Sequence, residues 1–126
     1  MNIPSDLRYT KDHEWIRING NKAQVGITDF AQGELGDIVF VEIETVGSHL
    51  EKGSTFGTIE AVKTVSDLFI PLSGKVLSVN TKINDTPDVI NKDPYGEGWL
   101  IEMEVDDVAQ ANELMDSVAY AAMLNV

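Results

Sequence analysis

The sixteen residues from Thr55 to Ile70 read as β-strand almost throughout, and that is too long for one strand. Strands usually end within ~3–10 residues, so the chain must reverse inside this stretch. The reversal falls near Lys63, in Glu60-Ala61-Val62-Lys63-Thr64-Val65-Ser66-Asp67. No glycine, proline or asparagine stands there to ease it. The neighbours Ala61, Val62, Thr64 and Val65 are small or β-branched, so the flanking strands must set the shape of the turn. A single lysine is thereby carried at the tip of a hairpin. Two readings follow: a solvated charge that guards a strand edge, or a lysine presented on a rigid tip for covalent loading. The chain has nine basic residues against twenty-one acidic ones, so basic side chains are not being spent freely as surface filler.

The remaining composition narrows the classes. At 126 residues the chain is long enough for a core without metal or disulfide staples and is read as one domain, 1–126. The 43% apolar and 24% charged shares are those of an ordinary globular protein. A net charge of −12 argues against nucleic acid, whose phosphates require a basic surface, and favours basic protein partners. There is no cysteine, hence no thiolate nucleophile and no sulfur metal site. His13 and His49 have no metal-ligand spacing, so no metal site is expected. No apolar run reaches the ~20 residues of a membrane span, and the start lacks a signal or transit layout. A cytoplasmic location is expected, or the mitochondrial matrix for a processed eukaryotic form.

Local patterns fill in a mainly β chain. Glu14–Ile18 alternates and runs into Asn19-Gly20-Asn21, a strong hairpin signal, with Ala23–Ile27 returning. Thr28 or Asp29 would cap a short helix over Phe30–Leu35, closed by Gly36. Further strands are expected over Ile38–Ile43, Lys75–Val79 and Trp99–Val105. Val108, Ala111, Leu114 and Met115, then Val118, Ala121 and Ala122, recur at helical spacing and predict two short C-terminal helices, the second capped by Asp116 or Ser117. The segment Val46–Phe56 echoes Val79–Val89, with Lys63 between the copies, as two similar halves of a flattened barrel would. Gly96-Glu97-Gly98 lacks the strand-to-helix context of a phosphate loop and reads as structural, while Trp15 and Trp99 read as core.

Four stretches carry a family resemblance. They are Tyr9–Trp15, Gly26–Asp37, Glu60–Asp67 and Asn91–Trp99, joined by Glu113–Asp116 with Ala119-Tyr120. Together they make the chain resemble, over nearly its whole length, the H-protein family of the glycine cleavage system. The fold this implies is the barrel-sandwich hybrid of lipoyl and biotinyl carriers, a flattened barrel with a short helix in its N-terminal half and helices at the C-terminus. Biotin carriers typically place methionine on both sides of the lysine, where Val62 and Thr64 stand. Lipoyl domains of the 2-oxoacid dehydrogenases typically put Asp before the lysine and Ala after it.

The resemblance implies a carrier with no catalytic residues of its own. (R)-Lipoate would be joined to Lys63 through an amide. The implied partners are a pyridoxal-phosphate-dependent glycine decarboxylase, a tetrahydrofolate-dependent aminomethyltransferase and a flavin-dependent dihydrolipoyl dehydrogenase. Enzymes that attach lipoate would complete the set, and the carrier is expected to be a monomer. The implied cargo is an aminomethyl group, a primary amine that is cationic near neutral pH. Glu14 and Asp67, with Ser66 as a weaker third, are the candidates to hold that amine by charge-assisted hydrogen bonds; ordinary surface charge is the other reading of each. Two alternatives stand beside the shuttle: a donor that passes lipoate to other carriers, and an unmodified interaction module, which would have no need of the lysine.

Overall fold

The computed structural model describes residues 1–126. Strands β1 (Arg8–Tyr9), β2 (Glu14–Asn19), β3 (Lys22–Ile27), β5 (His49–Leu50), β8 (Gly74–Val79) and β9 (Ile101–Val105) form a six-stranded sheet in the order β1-β2-β3-β9-β8-β5. Strands β4 (Ile38–Glu42), β6 (Thr55–Ala61) and β7 (Val65–Phe69) form a second sheet with β6 at its centre. Every pairing is antiparallel. The two sheets face each other across a core of nineteen buried residues, among them Ile16, Val25, Phe56, Ile59, Leu68, Val76 and Ile101. The result is a flattened barrel-sandwich of two sheets, not a closed barrel.

Successive side chains on a strand point to opposite faces, and β2 uses both. Ile16 enters the main core, while Trp15 faces a second cluster with Leu7, Tyr9, Tyr95 and Tyr120. That aromatic cluster fastens both ends of the chain to the six-stranded sheet. Tyr9 and Tyr120 stack with ring centroids 4.7 Å apart, and the Trp15 indole N–H donates to Pro94 O at 3.0 Å.

Most local expectations are met. Asn19 pairs with Lys22, so Gly20 and Asn21 form the two-residue loop, and Gly20 alone takes a positive φ, +67°, as a hairpin turn with glycine first requires. Helix α1 (Asp29–Leu35) is capped by Thr28, whose hydroxyl accepts from Ala31 N at 3.2 Å, and Gly36 closes it at φ 79°. Helices α2 (Lys82–Asp85) and α3 (Val89–Lys92) were not expected, because four-residue turns give no periodicity to read. Gly96 and Gly98 are structural as expected: a Cβ on either would lie within 2.7 Å of Asp93 atoms.

The two short C-terminal helices are present, the first a 3₁₀ helix (Val108–Glu113) and the second α4 (Ser117–Leu124) capped by Asp116, with Leu114 and Met115 outside both. Leu114 is extended, which lets Met115 exchange backbone hydrogen bonds with Tyr9. In α4, Tyr120 is the buried residue, while Val118 is 77% exposed and Ala122 is exposed. A stacked ring with two hydroxyl partners gains more from burial than an alanine or valine face would. The echoed segments also differ in local structure. Gly47 and Gly53 both adopt φ of +89°, whereas their counterparts Asn80 and Thr86 do not, and there the chain turns helical.

Gly26 lies directly opposite Trp15, and an added Cβ would stand 2.6 Å from ring carbons that cannot withdraw. Gly26→Ala is expected to lower the unfolding free energy by roughly 1–3 kcal/mol in urea titrations. Gly33 faces open space on α1. Gly33→Ala should raise stability by about 0.5–1 kcal/mol.

Candidate functional site

The hairpin predicted at Lys63 is present, and its turn is unusual. Glu60 pairs with Val65, Ala61 N donates to Thr64 O at 2.8 Å, and Val62 and Lys63 form the tip. No residue of the turn has positive φ, so it is not one of the mirror-image turns that two-residue hairpins favour. Outside support replaces that chemistry. Val62 N donates to Asp37 O at 3.0 Å, which ties the tip to the segment joining α1 and β4. Asn91 pins the same segment, accepting from Ile38 N at 3.0 Å and donating to Gly36 O at 2.8 Å. Lys63 is exposed and makes no ion pair. Its side chain lies beside Gly36, where a Cβ would come within 3.4 Å of Cε.

Next to the hairpin is a cleft of about 420 Å³ between α1, the loop before β2, and β7. Ile27, Phe30, Ala31, Leu35, Ile59 and Leu68 give it apolar walls. Its polar lining consists of Asp12, His13, Glu14, Glu34, Ser66 and Asp67. All three residues expected to hold the amine, Glu14, Ser66 and Asp67, therefore share one cavity with four carboxyl groups. A second groove of about 490 Å³ lies on the other side of Glu14, with Lys11 and Lys52 on its rim. It does not reach the hairpin tip.

Glu14 is not a surface charge. It is 3% exposed, and burial pushes its carboxyl up to about 8, against the partial relief given by two hydrogen bonds. Thr10 Oγ1 donates to Oε1 at 2.8 Å, and Phe69 N lies 3.4 Å from Oε2. An empty cleft at neutral pH thus holds Glu14 mostly protonated. Asp67 is exposed at the mouth and Ser66 is half-buried. His13 sits at φ 69°, one of two non-glycine residues in the left-handed region, with its ring against Phe30 at 4.7 Å. Burial lowers its pKa despite the opposing pull of Asp12 and Glu34.

Sequence reasoning missed Glu34, Asp12 and Tyr120 as contributors. A signal existed for Glu34: Phe30, Ala31, Glu34 and Leu35 recur at helical spacing and form the face of α1 that walls the cleft. Chemically the cavity suits a flexible arm tethered at Lys63, with an apolar stem and a cationic end. The apolar walls match such a stem, and the carboxyl groups match such a charge.

The raised Glu14 carboxyl has a sign that can be checked. The folded protein holds this proton above the usual carboxylate range, where the unfolded chain has released it. Its contribution to stability is therefore lost as pH rises from the unfolded value toward about 8. Glu14→Gln should gain stability relative to the native chain between about pH 5 and pH 8, by up to a few kcal/mol, in paired denaturant titrations.

Known proteins resemble the chain over nearly its whole length. The sequence model described as "Glycine cleavage H-protein" matches residues 7–126. The glycine cleavage system H protein of Bacteroides thetaiotaomicron is 58% identical over 125 residues, covering 99% of each chain. That of Symbiobacterium thermophilum is 54% identical over 121 residues, covering 96% of this chain and 94% of its own. The crystal structure of a glycine cleavage system H protein from Mycobacterium marinum superposes with a TM-score of 0.89 at 42% identity, covering 98% of this chain and 100% of its own. The chain belongs to the glycine cleavage H-protein family, the lipoyl-carrier component of the glycine cleavage system and not one of its catalysts.

Proposed function

We propose that Lys63 carries (R)-lipoate through an amide on Nζ, and that residues 1–126 act as one carrier domain shuttling an aminomethyl group. The group passes from a pyridoxal-phosphate-dependent glycine decarboxylase to a tetrahydrofolate-dependent aminomethyltransferase. Electrons then leave to a flavin-dependent dihydrolipoyl dehydrogenase, in a cytoplasmic setting in keeping with the bacterial relatives. The observation that carries the reading is the pairing of an exposed, unpaired lysine on a braced tip with an adjoining cleft that is apolar on its walls and rich in carboxyl groups. The bound lipoyl group supplies the disulfide–dithiol couple; the protein supplies position and shelter.

The chain's own residues do three things in this reading. Asp37 O and Asn91 hold the tip and the end of α1 in register, so Nζ is offered at a fixed place. Phe30, Leu35, Ile59 and Leu68 exclude water from the cleft. Glu14 and Asp67, with Ser66, receive the cationic amine. A cation beside Glu14 favours its ionised form, so seating the cargo releases the proton that the empty cleft holds. Retention therefore strengthens as pH rises toward about 8.

Lys63→Arg should remove the lipoyl-sized mass increase that a lipoate ligase, lipoate and ATP produce on the native chain. Peptide mass mapping checks this, and a lipoyl group found elsewhere would refute the assignment. With the arm charged from glycine, Glu14→Gln should lose the aminomethyl group faster than the native protein. The ratio of the two rates should widen between about pH 6 and pH 8 as native Glu14 ionises. Formaldehyde and ammonia release measures it, and equal rates at both pH values would remove Glu14 from the seat.

A further inference from the structure

The left-handed His13 occupies the cleft beside Glu14, and nothing in the carrier reading above uses it. Its ring is held by two residues. Phe30 lies against it, Tyr120 meets it edge-on at 5.8 Å, and the Tyr120 hydroxyl is 2.8 Å from Nδ1. The same hydroxyl is 2.8 Å from Thr28 Oγ1, which is fully buried and accepts from Ala31 N.

This chain of contacts fixes where the protons go. Thr28 Oγ1 already takes the Ala31 N–H, and Tyr120 Oη is the acceptor within reach of its own proton. If Tyr120 donated to Thr28 instead, a buried hydroxyl proton would be left without a partner, which costs more than the bond returns. Thr28 therefore donates to Tyr120, and Tyr120 donates to His13 Nδ1. Burial raises the Tyr120 pKa, so its proton stays available for that bond. Neutral His13 then carries its hydrogen on Nε2. That nitrogen has no partner in the protein, and no buried side-chain nitrogen or oxygen is left unpaired, so Nε2–H is accessible on a residue that lines the cleft.

An N–H donor has no use for a cation. The other ionisable groups of the cleft are all carboxyls: Asp12 from the loop before β2, Glu14 on β2, Glu34 on α1 and Asp67 on β7. Their charge suits the amine, which the carrier reading gives to Glu14 and Asp67. In an aminomethyl cargo the amine is one carbon from the sulfur that bears it, so the group adjoining the amine's carboxylate partner faces sulfur. Resting on the carrier reading, we propose that His13 Nε2–H is the donor that seats the sulfur end of the charged arm, with Tyr120 of α4 as the positioning residue that sets its tautomer. The amine and the sulfur are thus held by groups of opposite character on adjacent residues. The C-terminal helix contributes to the cleft through a single hydroxyl, without lining it.

The test uses the full chain with ¹⁵N-labelled histidine, observed by long-range proton–nitrogen correlation as the unmodified, lipoylated and glycine-charged protein. Nε2 should be the protonated nitrogen in all three states, and its proton should shift and exchange more slowly only on charging. Tyr120→Phe should mix the tautomers. His13→Asn, which tolerates the left-handed backbone, should lose the aminomethyl group roughly two- to tenfold faster, the range expected for one hydrogen bond, while still accepting lipoate at Lys63. A proton on Nδ1 would overturn the proposal, as would an Nε2–H signal indifferent to charging together with native loss rates in His13→Asn. If Lys63 accepts no lipoyl group, the carrier reading fails and this inference with it. If the arm charges normally but the His13 signal stays silent and His13→Asn keeps the native loss rate, this inference alone is wrong.

Discussion

The hydrogen bond from Val62 N to Asp37 O is the contact on which the functional geometry depends. A hairpin tip without glycine or asparagine gains nothing from intrinsic turn preference, so neighbours must impose its conformation. Asp37 does so from the segment between α1 and β4, and that segment is itself held by the three hydrogen bonds of Asn91 to Ile38, Gly36 and Gln32. Asn91 comes from α3, more than fifty residues away in sequence. The lysine's position thus reports the packing of α1, α3 and the three-stranded sheet together. A more flexible, glycine-based tip would present the same amine in many orientations, and an enzyme that acts on Nζ would have to order it first.

The aromatic cluster extends this coupling to the chain ends. Tyr9 and Met115 exchange backbone hydrogen bonds, Tyr9 stacks on Tyr120, and Tyr120 reaches Thr28 and His13. The loop Thr10–Glu14 is therefore gripped from both sides. Thr10 Oγ1 accepts from the amides of Asp12 and Glu14 and donates to the Glu14 carboxyl. Burial of Glu14 is a consequence of this grip: the loop folds back tightly enough that the carboxyl faces inward, where Thr10 and Phe69 are its only hydrogen-bond partners.

Much of this was legible in the sequence, for identifiable reasons. The Lys63 reversal followed from strand length, the first hairpin from Asn19-Gly20, and α1 from Thr28 and Gly36, all local chemistry. Glu14 was singled out by its place in the Tyr9–Trp15 stretch and Asp67 by lying four residues beyond Lys63, but that they line one cavity had no local signal, since residues fifty apart share no local pattern. What escaped was set by tertiary context. The burial of Glu14 depends on a loop that closes over it. The inward face of α4 is chosen by one tyrosine against a run of small apolar residues. The echo between Val46–Phe56 and Val79–Val89 matched apolar spacing but ignored the two glycines whose left-handed φ decides the local path.

The electrostatics of the cleft also bear on how firmly a carrier should hold its load. A buried carboxylate waiting for an ammonium ion would be costly when empty and too retentive when full. Glu14 avoids both extremes by resting protonated. At neutral pH, a carboxyl with a pKa of about 8 must give up about 1.4 kcal/mol to ionise, and in the proposed seat that amount would be subtracted from the grip on the amine. In the proposed carrier, that cost would place the hold on the amine between a fixed carboxylate and a neutral hydrogen-bond partner. Depth of burial sets that balance, because desolvation is the largest cause of the Glu14 shift. In this fold the depth is fixed by the Thr10–Glu14 loop, so under the proposed carrier reading the residues that shape that loop would tune the hold on cargo without touching it.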